Sequence, residues 1–220
     1  FRYLIFMIND IYVFDDIIEK PYQELIKETL LGGDKPPTID VVEEPFPWYY
    51  ISDITDADHE ASFQGRFGFT HQYVTPEGGI ICDFHSLFFG LIQNSCKKLK
   101  IKEIDVLNGR SFLSTPTNIP KDDVDSPHVD LVVPHFVMLY YVCDSDGDTI
   151  IYNEKTKFGG CYPDNEMNFT IKKKVSPKQG RVVLFDGIHY HTAEQPNHNV
   201  RCIVNYDLRD LSCVTPGVRI

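Results

Sequence analysis

Short runs of β-branched and aromatic residues dominate the second half of the chain. Turn-forming residues separate these runs, which span Ile104 to Leu113, Phe136 to Cys143, Thr149 to Tyr152, Phe169 to Lys173, Val182 to Phe185 and Cys202 to Leu208. Strands that are this short and this regularly spaced are typical of sandwiches and jelly rolls. The pattern therefore predicts a mostly β structure from residue 101 onward.

The first hundred residues show helical patterns instead. Pro21 to Leu31 has Pro in its first turn and is followed by Gly32-Gly33, a stop signal. Apolar residues recur at three- and four-residue steps from Phe84 to Leu99, which predicts a second helix that packs against a sheet. We expect residues 1–100 to form a supporting α/β layer, residues 101–220 to form the β core, and the whole of 1–220 to be one domain with flanking helices.

Three other segments lead to local expectations. Lys35 to Trp48 is rich in Pro and acidic residues and predicts a surface connection that leads into a strand at Trp48 to Ile51. Phe63 to Thr75 carries aromatic residues between turn signals and predicts a hairpin that overhangs a pocket. Residues 144–148, Asp-Ser-Asp-Gly-Asp, lack the spacing of a calcium loop. They predict a hairpin turn that joins the strands around Tyr141 and Thr149.

Composition narrows the classes of function. The chain has 220 residues, of which 42% are hydrophobic, and a net charge of −11, which disfavours binding to the phosphates of a nucleic acid. No run approaches the ~18 apolar residues of a membrane span, so no membrane association is expected. The six cysteines form no C-x-x-C pair, and no signal-peptide pattern is evident. We therefore predict a cytoplasmic protein with reduced cysteines.

The candidate chemistry lies in His128-Val129-Asp130 and in later histidines. Residues two apart on a strand point to the same face, so an imidazole and a carboxylate would lie side by side. Two His and one carboxylate on one face of a metal leave the opposite positions open, as in non-haem Fe(II) oxygenases. His189 and His191 share strand parity, so either could supply the second imidazole. His135 follows Pro134 and is a weaker candidate.

Several motifs in their order resemble the Fe(II)- and 2-oxoglutarate-dependent dioxygenases, most closely the prolyl-4-hydroxylase-like branch with its bacterial and phage-type relatives. The motifs are His-Val-Asp at 128–130, Leu-Tyr-Tyr-Val at 139–142, Gly-Asp-Thr at 147–149, Val-Leu-Phe-Asp-Gly at 183–187, His191, Pro196 and Arg201. The resemblance covers about residues 101 to 210. It implies a double-stranded β-helix, a form of jelly roll. At residues 147–149 this chain has Gly-Asp-Thr where the family frequently has a Gly-Gly-Glu-Thr turn. The resemblance therefore does not identify the substrate.

The resemblance also implies the roles of individual residues. His128, Asp130 and His191 would bind Fe(II) and form the catalytic centre, and His191 is preferred over His189 because of its spacing from Arg201. Arg201 would bind the C5 carboxylate of 2-oxoglutarate, since a guanidinium holds a carboxylate in a bidentate geometry. Tyr141 and Thr149 would assist Arg201. Candidates for the pocket wall are Arg110, Phe69, Tyr73 and Tyr190.

The implied reaction is hydroxylation of an unactivated C–H bond in a peptide or small molecule. It consumes O2 and 2-oxoglutarate and releases succinate and CO2. Two alternatives remain at this stage: a catalytically silent jelly-roll binding module, and a cupin-type metalloenzyme that does not use 2-oxoglutarate. Fe(II) and 2-oxoglutarate binding separates the first alternative from an oxygenase, and the effect of replacing Arg201 separates the second.

Overall fold

The computed structural model describes residues 10–33, 46–52, 54, 66–77, 79–157, 160–163 and 167–212. Within these ranges the chain forms ten strands, two α-helices and one 3-10 helix at Asp83–Phe88. The helices are α1 (Lys20–Leu31) and α2 (Phe89–Leu99). The strands are β1 (Tyr12–Phe14), β2 (Tyr49–Ile51), β3 (Gly68–Val74), β4 (Ile104–Ser114), β5 (Phe136–Tyr141), β6 (Thr149–Lys155), β7 (Ile171–Val175), β8 (Val182–Asp186), β9 (His189–Ala193) and β10 (Arg201–Asp210).

The strands form two antiparallel sheets. The larger sheet has the order β1-β8-β5-β10-β4-β3-β2, and the smaller has the order β7-β6-β9. Strands from the first hundred residues thus lie in the same sheet as strands from the second half. The prediction of a mostly β structure with flanking helices is confirmed. Among the described residues, no helix is both long enough and apolar enough to cross a membrane.

At the centre of the larger sheet both faces are buried, as β5 illustrates. Met138 and Tyr140 belong to a core cluster that also contains Ile26 of α1 and Leu91 of α2. The alternate residues of β5 face the other side and belong to a second cluster, with Ile151 of the smaller sheet. Side chains alternate along a strand, so one apolar run supplies two cores. All six residues of β5 are buried as a result.

The helix predictions are confirmed with one change. α1 begins at Lys20 and ends before Gly32, whose φ of 80° closes the helix. The second helical segment begins as a 3-10 helix at Asp83, and regular α-helix starts only at Phe89. All six predicted strands from the second half are present, as is the strand that follows Trp48. β1 and β9 were not predicted.

Two local predictions are wrong. Residues 68–74 form β3, which lies between β2 and β4 in the larger sheet, and do not form a hairpin over a pocket. Residues 63–65, most of the connection that starts at Lys35, and Gly78 lie outside the described residues. The turn at 144–148 does not close a hairpin either, because β5 and β6 belong to different sheets. The turn carries the chain from one sheet to the other.

Candidate metal centre

Three of the predicted site residues meet in one cluster. His128 and His191 face each other across an antiparallel bridge. Each backbone N–H donates to the carbonyl oxygen of the other residue, with N to O distances of 3.0 and 2.9 Å. Their ring centroids are 4.7 Å apart. With Asp130, each residue offers one ligand atom, and the three atoms all lie within 4.8 Å of one another. The sequence prediction that these residues come together is therefore matched by the geometry.

Hydrogen bonds orient both imidazole rings. Nδ1 of His128 lies 3.0 Å from the Ser126 carbonyl oxygen, and Nδ1 of His191 lies 3.2 Å from the His189 carbonyl oxygen. A carbonyl oxygen can only accept, so each Nδ1 carries a proton, and Nε2 of a neutral imidazole then keeps its lone pair. The Nε2 atoms lie 3.9 and 3.4 Å from the Asp130 carboxylate oxygens. Both lone pairs therefore belong to the atoms that face the cluster, as metal binding requires.

The charge states of the cluster also suit a divalent cation. Loss of hydration, followed by the neighbouring His191, lowers the pKa of His128 to about 4, so its imidazole is neutral at pH 7. Burial acts to raise the pKa of Asp130. The positive charge of Arg110 outweighs burial and holds that pKa well below its usual range. Two imidazoles and one carboxylate form the donor set used by non-haem iron sites.

Two side chains bind the Asp130 carboxylate directly. Nη2 of Arg110 donates to Oδ1 at 2.5 Å, and Nδ2 of Asn205 donates to Oδ2 at 3.2 Å. Arg110 comes from β4 and Asn205 from β10, which are paired at these two positions. The sequence suggested Arg110 only as a wall residue and gave no sign of Asn205, whose polar side chain lies within an apolar strand. The sheet register therefore fixes the orientation of Asp130.

A second buried carboxyl lies behind this cluster. Asp207 is fully buried, accepts a hydrogen bond from Asn108 at 2.9 Å and lies 3.6 Å from Nε2 of His135. Burial and the nearby Asp130 raise its pKa well above the usual range. His135 therefore faces Asp207 and lies outside the metal cluster. An Asp inside the apolar β10 was the signal in the sequence that could have revealed this contact.

The remaining predicted site residues form a chain of contacts around Arg201. The Arg201 side chain is buried, with Nε 2.9 Å from the Gly147 carbonyl oxygen and Nη2 2.8 Å from Oγ1 of Thr149. The same Oγ1 accepts a hydrogen bond from the Tyr141 hydroxyl at 2.7 Å. Burial raises the pKa of Tyr141 to about 12, so the hydroxyl is protonated and can donate. Tyr141 thus positions Thr149, which in turn contacts Arg201.

The cluster and Arg201 open into one cavity of about 320 Å³. Its wall combines polar and charged groups with apolar ones. The described lining residues are Ile54, Arg110, Phe112, Ser114, Asp125, His128, Val129, Asp130, Leu139, Thr149, Cys161, Tyr162, His191, Thr192, Ala193, Arg201, Ile203 and Asn205. The sequence-predicted site residues lie in this wall, apart from Tyr141, which acts through Thr149. The volume suits a small ligand held beside a metal ion.

Asp125 is a wall residue that the sequence analysis missed. Both of its carboxylate oxygens lie 2.8 Å from Nε2 of Gln195, and Oδ1 lies 3.4 Å from Nε of Arg66. Burial raises its pKa to about 6, against the opposing effects of Gln195 and Arg201. Its place in the long connection between β4 and the metal cluster gave no periodic signal. Its role in the wall arises from backbone bonds between that connection and β9.

Other candidate side chains point away from the cavity. The His189 ring is buried, with Nδ1 2.7 Å from the Tyr152 carbonyl oxygen and Nε2 3.1 Å from Nζ of Lys172. An irregularity in the pairing of β9 with β6 separates the surroundings of His189 and His191 despite their shared parity. Phe69, Tyr73 and Tyr190 are not among the lining residues either, whereas Arg110 is.

Position 147, beside the Arg201 side chain, has no room for a side chain larger than that of glycine. A Cβ at this position would lie 2.7 Å from the Glu194 carbonyl oxygen and 3.0 Å from Cδ of Arg201. We expect Gly147→Ala to displace Arg201, to cost about 1–3 kcal/mol of unfolding free energy, and to weaken by about tenfold the 2-oxoglutarate binding that the resemblance implies. Chemical unfolding and calorimetric titration measure the two effects. Gly33→Ala, where the added Cβ meets no atom within 4 Å, is the control and should change neither.

Comparison with known proteins identifies the fold. Similar solved structures include a prolyl hydroxylase from Trichoplax adhaerens in complex with a hypoxia inducible factor peptide fragment, with 12% identity and a TM-score of 0.52, covering 96% of this chain and 89% of that one. HygX from Streptomyces hygroscopicus, with nickel, 2-oxoglutarate and hygromycin B bound, has 13% identity and a TM-score of 0.51, covering 91% and 83%. A 2OG-Fe(II) oxygenase family oxidoreductase from Burkholderia pseudomallei has 12% identity and a TM-score of 0.50, covering 74% and 73%.

The expected resemblance to 2-oxoglutarate–Fe(II) oxygenases is confirmed at the level of the fold, and prolyl hydroxylases are among the similar structures. No protein-family model matches the chain, and no curated protein matches its sequence. At 12–13% identity the likeness establishes the fold alone. Any function must therefore be argued from the site.

Proposed function

We propose that the protein is an Fe(II)- and 2-oxoglutarate-dependent oxygenase. One observation carries the proposal: the His128–Asp130–His191 cluster opens into the same cavity as the buried guanidinium of Arg201. A metal site alone would permit many reactions. A cation that can bind a carboxylate within the same small cavity adds a place for a dicarboxylate cosubstrate.

The residues present fit both groups. His128, Asp130 and His191 would hold Fe(II), because their free lone pairs and single negative charge face one point. Arg201, with Thr149 beside it, would bind the C5 carboxylate of 2-oxoglutarate, and Tyr141 would keep Thr149 in place. When bound, Fe(II) and 2-oxoglutarate supply the oxidising chemistry, in which O2 is consumed and succinate and CO2 are released. The protein orients these reactants and shields them from water.

We further propose hydroxylation of an unactivated C–H bond, a double-stranded β-helix as the detailed form of the two-sheet fold, one oxygenase domain over residues 1–220, and a cytoplasmic location. The substrate would be a peptide or a small molecule. Both substrate classes are supported by similar structures, one of which holds a peptide fragment and another hygromycin B.

Anaerobic titration tests the proposal. Adding Fe(II) and then 2-oxoglutarate to the purified protein should produce a weak visible metal-to-ligand charge-transfer band, and admitting O2 should then release succinate. Succinate in place of 2-oxoglutarate is the control and should give no band. A protein that binds neither Fe(II) nor 2-oxoglutarate would be a silent binding module. A protein that binds Fe(II) but never 2-oxoglutarate would fit the cupin-type alternative.

A further inference from the structure

We propose that the substrate oxidised in this cavity carries a carboxylate and that Arg110 binds it. The inference rests on the proposed function and extends it by naming a substrate class, a small organic acid, and the residue that recognises it. The observations that carry it are the position of Arg110, the charges of the cavity wall and the apolar residues around them.

Arg110 is both fixed in position and accessible from the cavity. It lies in β4, which pairs with β3 on one side and β10 on the other. Its guanidinium packs over the Phe112 ring, with 5.1 Å between Cζ and the ring centroid. A guanidinium has five N–H donors, and the bond to Asp130 uses Nη2. The side chain is 24% exposed, so part of this donor set faces the cavity.

A metal ion at the cluster would change the pairing of Arg110. Without metal, Asp130 is its ionic partner. A divalent cation held by the cluster would share the charge of Asp130 and so weaken the pairing of Asp130 with Arg110. Arg110 would then be available to pair with a further anion in the cavity.

The other carboxyls near the described wall are hydrogen-bonded to residues other than Arg110. Asp125 is engaged by Gln195 and Arg66. Asp207, the remaining carboxyl near Arg110, accepts a hydrogen bond from Asn108 and is not a lining residue. Charges that are removed from water are normally paired. A negatively charged substrate would pair with Arg110 beside the metal cluster.

The cavity favours a substrate that has a carboxylate attached to a small apolar group. A planar carboxylate matches the planar donor set of Arg in shape and is opposite to it in charge. Ile54, Phe112, Leu139 and Ile203 provide apolar wall for the rest of the molecule. Because Arg110 contacts the Asp130 side chain, a carboxylate bound there would hold its neighbouring carbon atoms beside the metal cluster.

Binding to a catalytically silent form tests the inference. The protein is loaded with Zn(II) and 2-oxoglutarate and then titrated with a panel of small aliphatic and cyclic carboxylic acids, each paired with its uncharged primary amide. Calorimetry and ligand-observed NMR report affinity. At least one acid should bind about tenfold or more tightly than its amide. Arg110→Gln should remove this preference, and Arg110→Lys, which keeps the charge without the planar fork, should retain part of it.

Control variants show whether the preference for acids depends on Arg110 specifically. Arg209→Gln changes an arginine of β10 that pairs with Asp105 away from the cavity wall, and it should keep the full preference for acids. Zn(II) titration of each variant shows whether the loss of Arg110 acts only through Asp130 and the metal. If no acid binds more tightly than its amide, or if Arg110→Gln keeps the preference, the inference is overturned. Failure of the proposed function is a different result, since the wild-type protein would then not bind Fe(II) and 2-oxoglutarate.

Discussion

Replacing His191 with Ala is expected to abolish metal binding at micromolar concentrations. The change removes one of three donors from a cluster whose ligand atoms all lie within 4.8 Å of one another. Loss of an outer partner of a ligand typically costs up to about 100-fold in metal affinity, so the loss of a ligand itself should cost more. Titration with Co(II), followed by its visible absorption and by competition with Fe(II), measures the effect.

The matched control for this change is His189→Gln. His189 lies two residues away on β9 and is equally buried, but its ring contacts Tyr152 and Lys172 instead of the cluster. Its backbone carbonyl, which orients His191, is kept in the variant. We expect the variant to lose some stability and to weaken turnover while still binding metal. The opposite ranking of the two variants would make His189 the ligand and overturn the assignment.

Replacing Arg201 with Ala is expected to weaken 2-oxoglutarate binding by about 30-fold or more while Fe(II) still binds. A buried charge-assisted pair loses several kcal/mol when one partner is removed, because the other charge is left unpaired. Arg201 is 5% exposed and is held by Gly147 and Thr149. Arg110, the other arginine among the described lining residues, is bonded to Asp130 instead. Titration of the Fe(II) complex with 2-oxoglutarate, followed by the charge-transfer band, gives the affinity.

Two further variants make this result specific. Arg201→Lys keeps the positive charge but loses the planar fork, so we expect an intermediate affinity. Arg181→Ala removes an arginine that pairs with Asp15 near the surface, and it should leave the affinity for 2-oxoglutarate unchanged. Unfolding curves show whether each variant is folded. Succinate production by Arg201→Ala at the wild-type rate and at low 2-oxoglutarate would contradict the cosubstrate assignment.

The strands that the sequence predicted are those with apolar side chains on one or both faces. β5 is the clearest example, because its six buried residues face two cores and read as one apolar run. β9 was not predicted, although it holds His191. Its sequence, His-Tyr-His-Thr-Ala, is interrupted by polar side chains, and two of them line the cavity. Strands that build a polar site lose the periodicity by which strands are recognised.

The turn at 144–148 shows a second limit. Its Asp-Gly sequence correctly marks the break between β5 and β6. A turn sequence does not specify which strands pair, however, and these two strands lie in different sheets. Strand pairing depends on contacts between distant residues, which short-range signals do not contain.

The sequence by itself determined the mostly β architecture and the two helices, and it supplied the candidate residues of the metal cluster and its nearby arginine. It could do so because strand and helix periodicity are local, and because His-x-Asp, a later His and an Arg are a distinctive combination. Only the tertiary structure decided that His191 and not His189 faces the cluster, that Arg110 and Asn205 bind Asp130, and that Asp125 lies in the wall. These contacts join residues from different strands, and sheet register, a long-range property, brings them together.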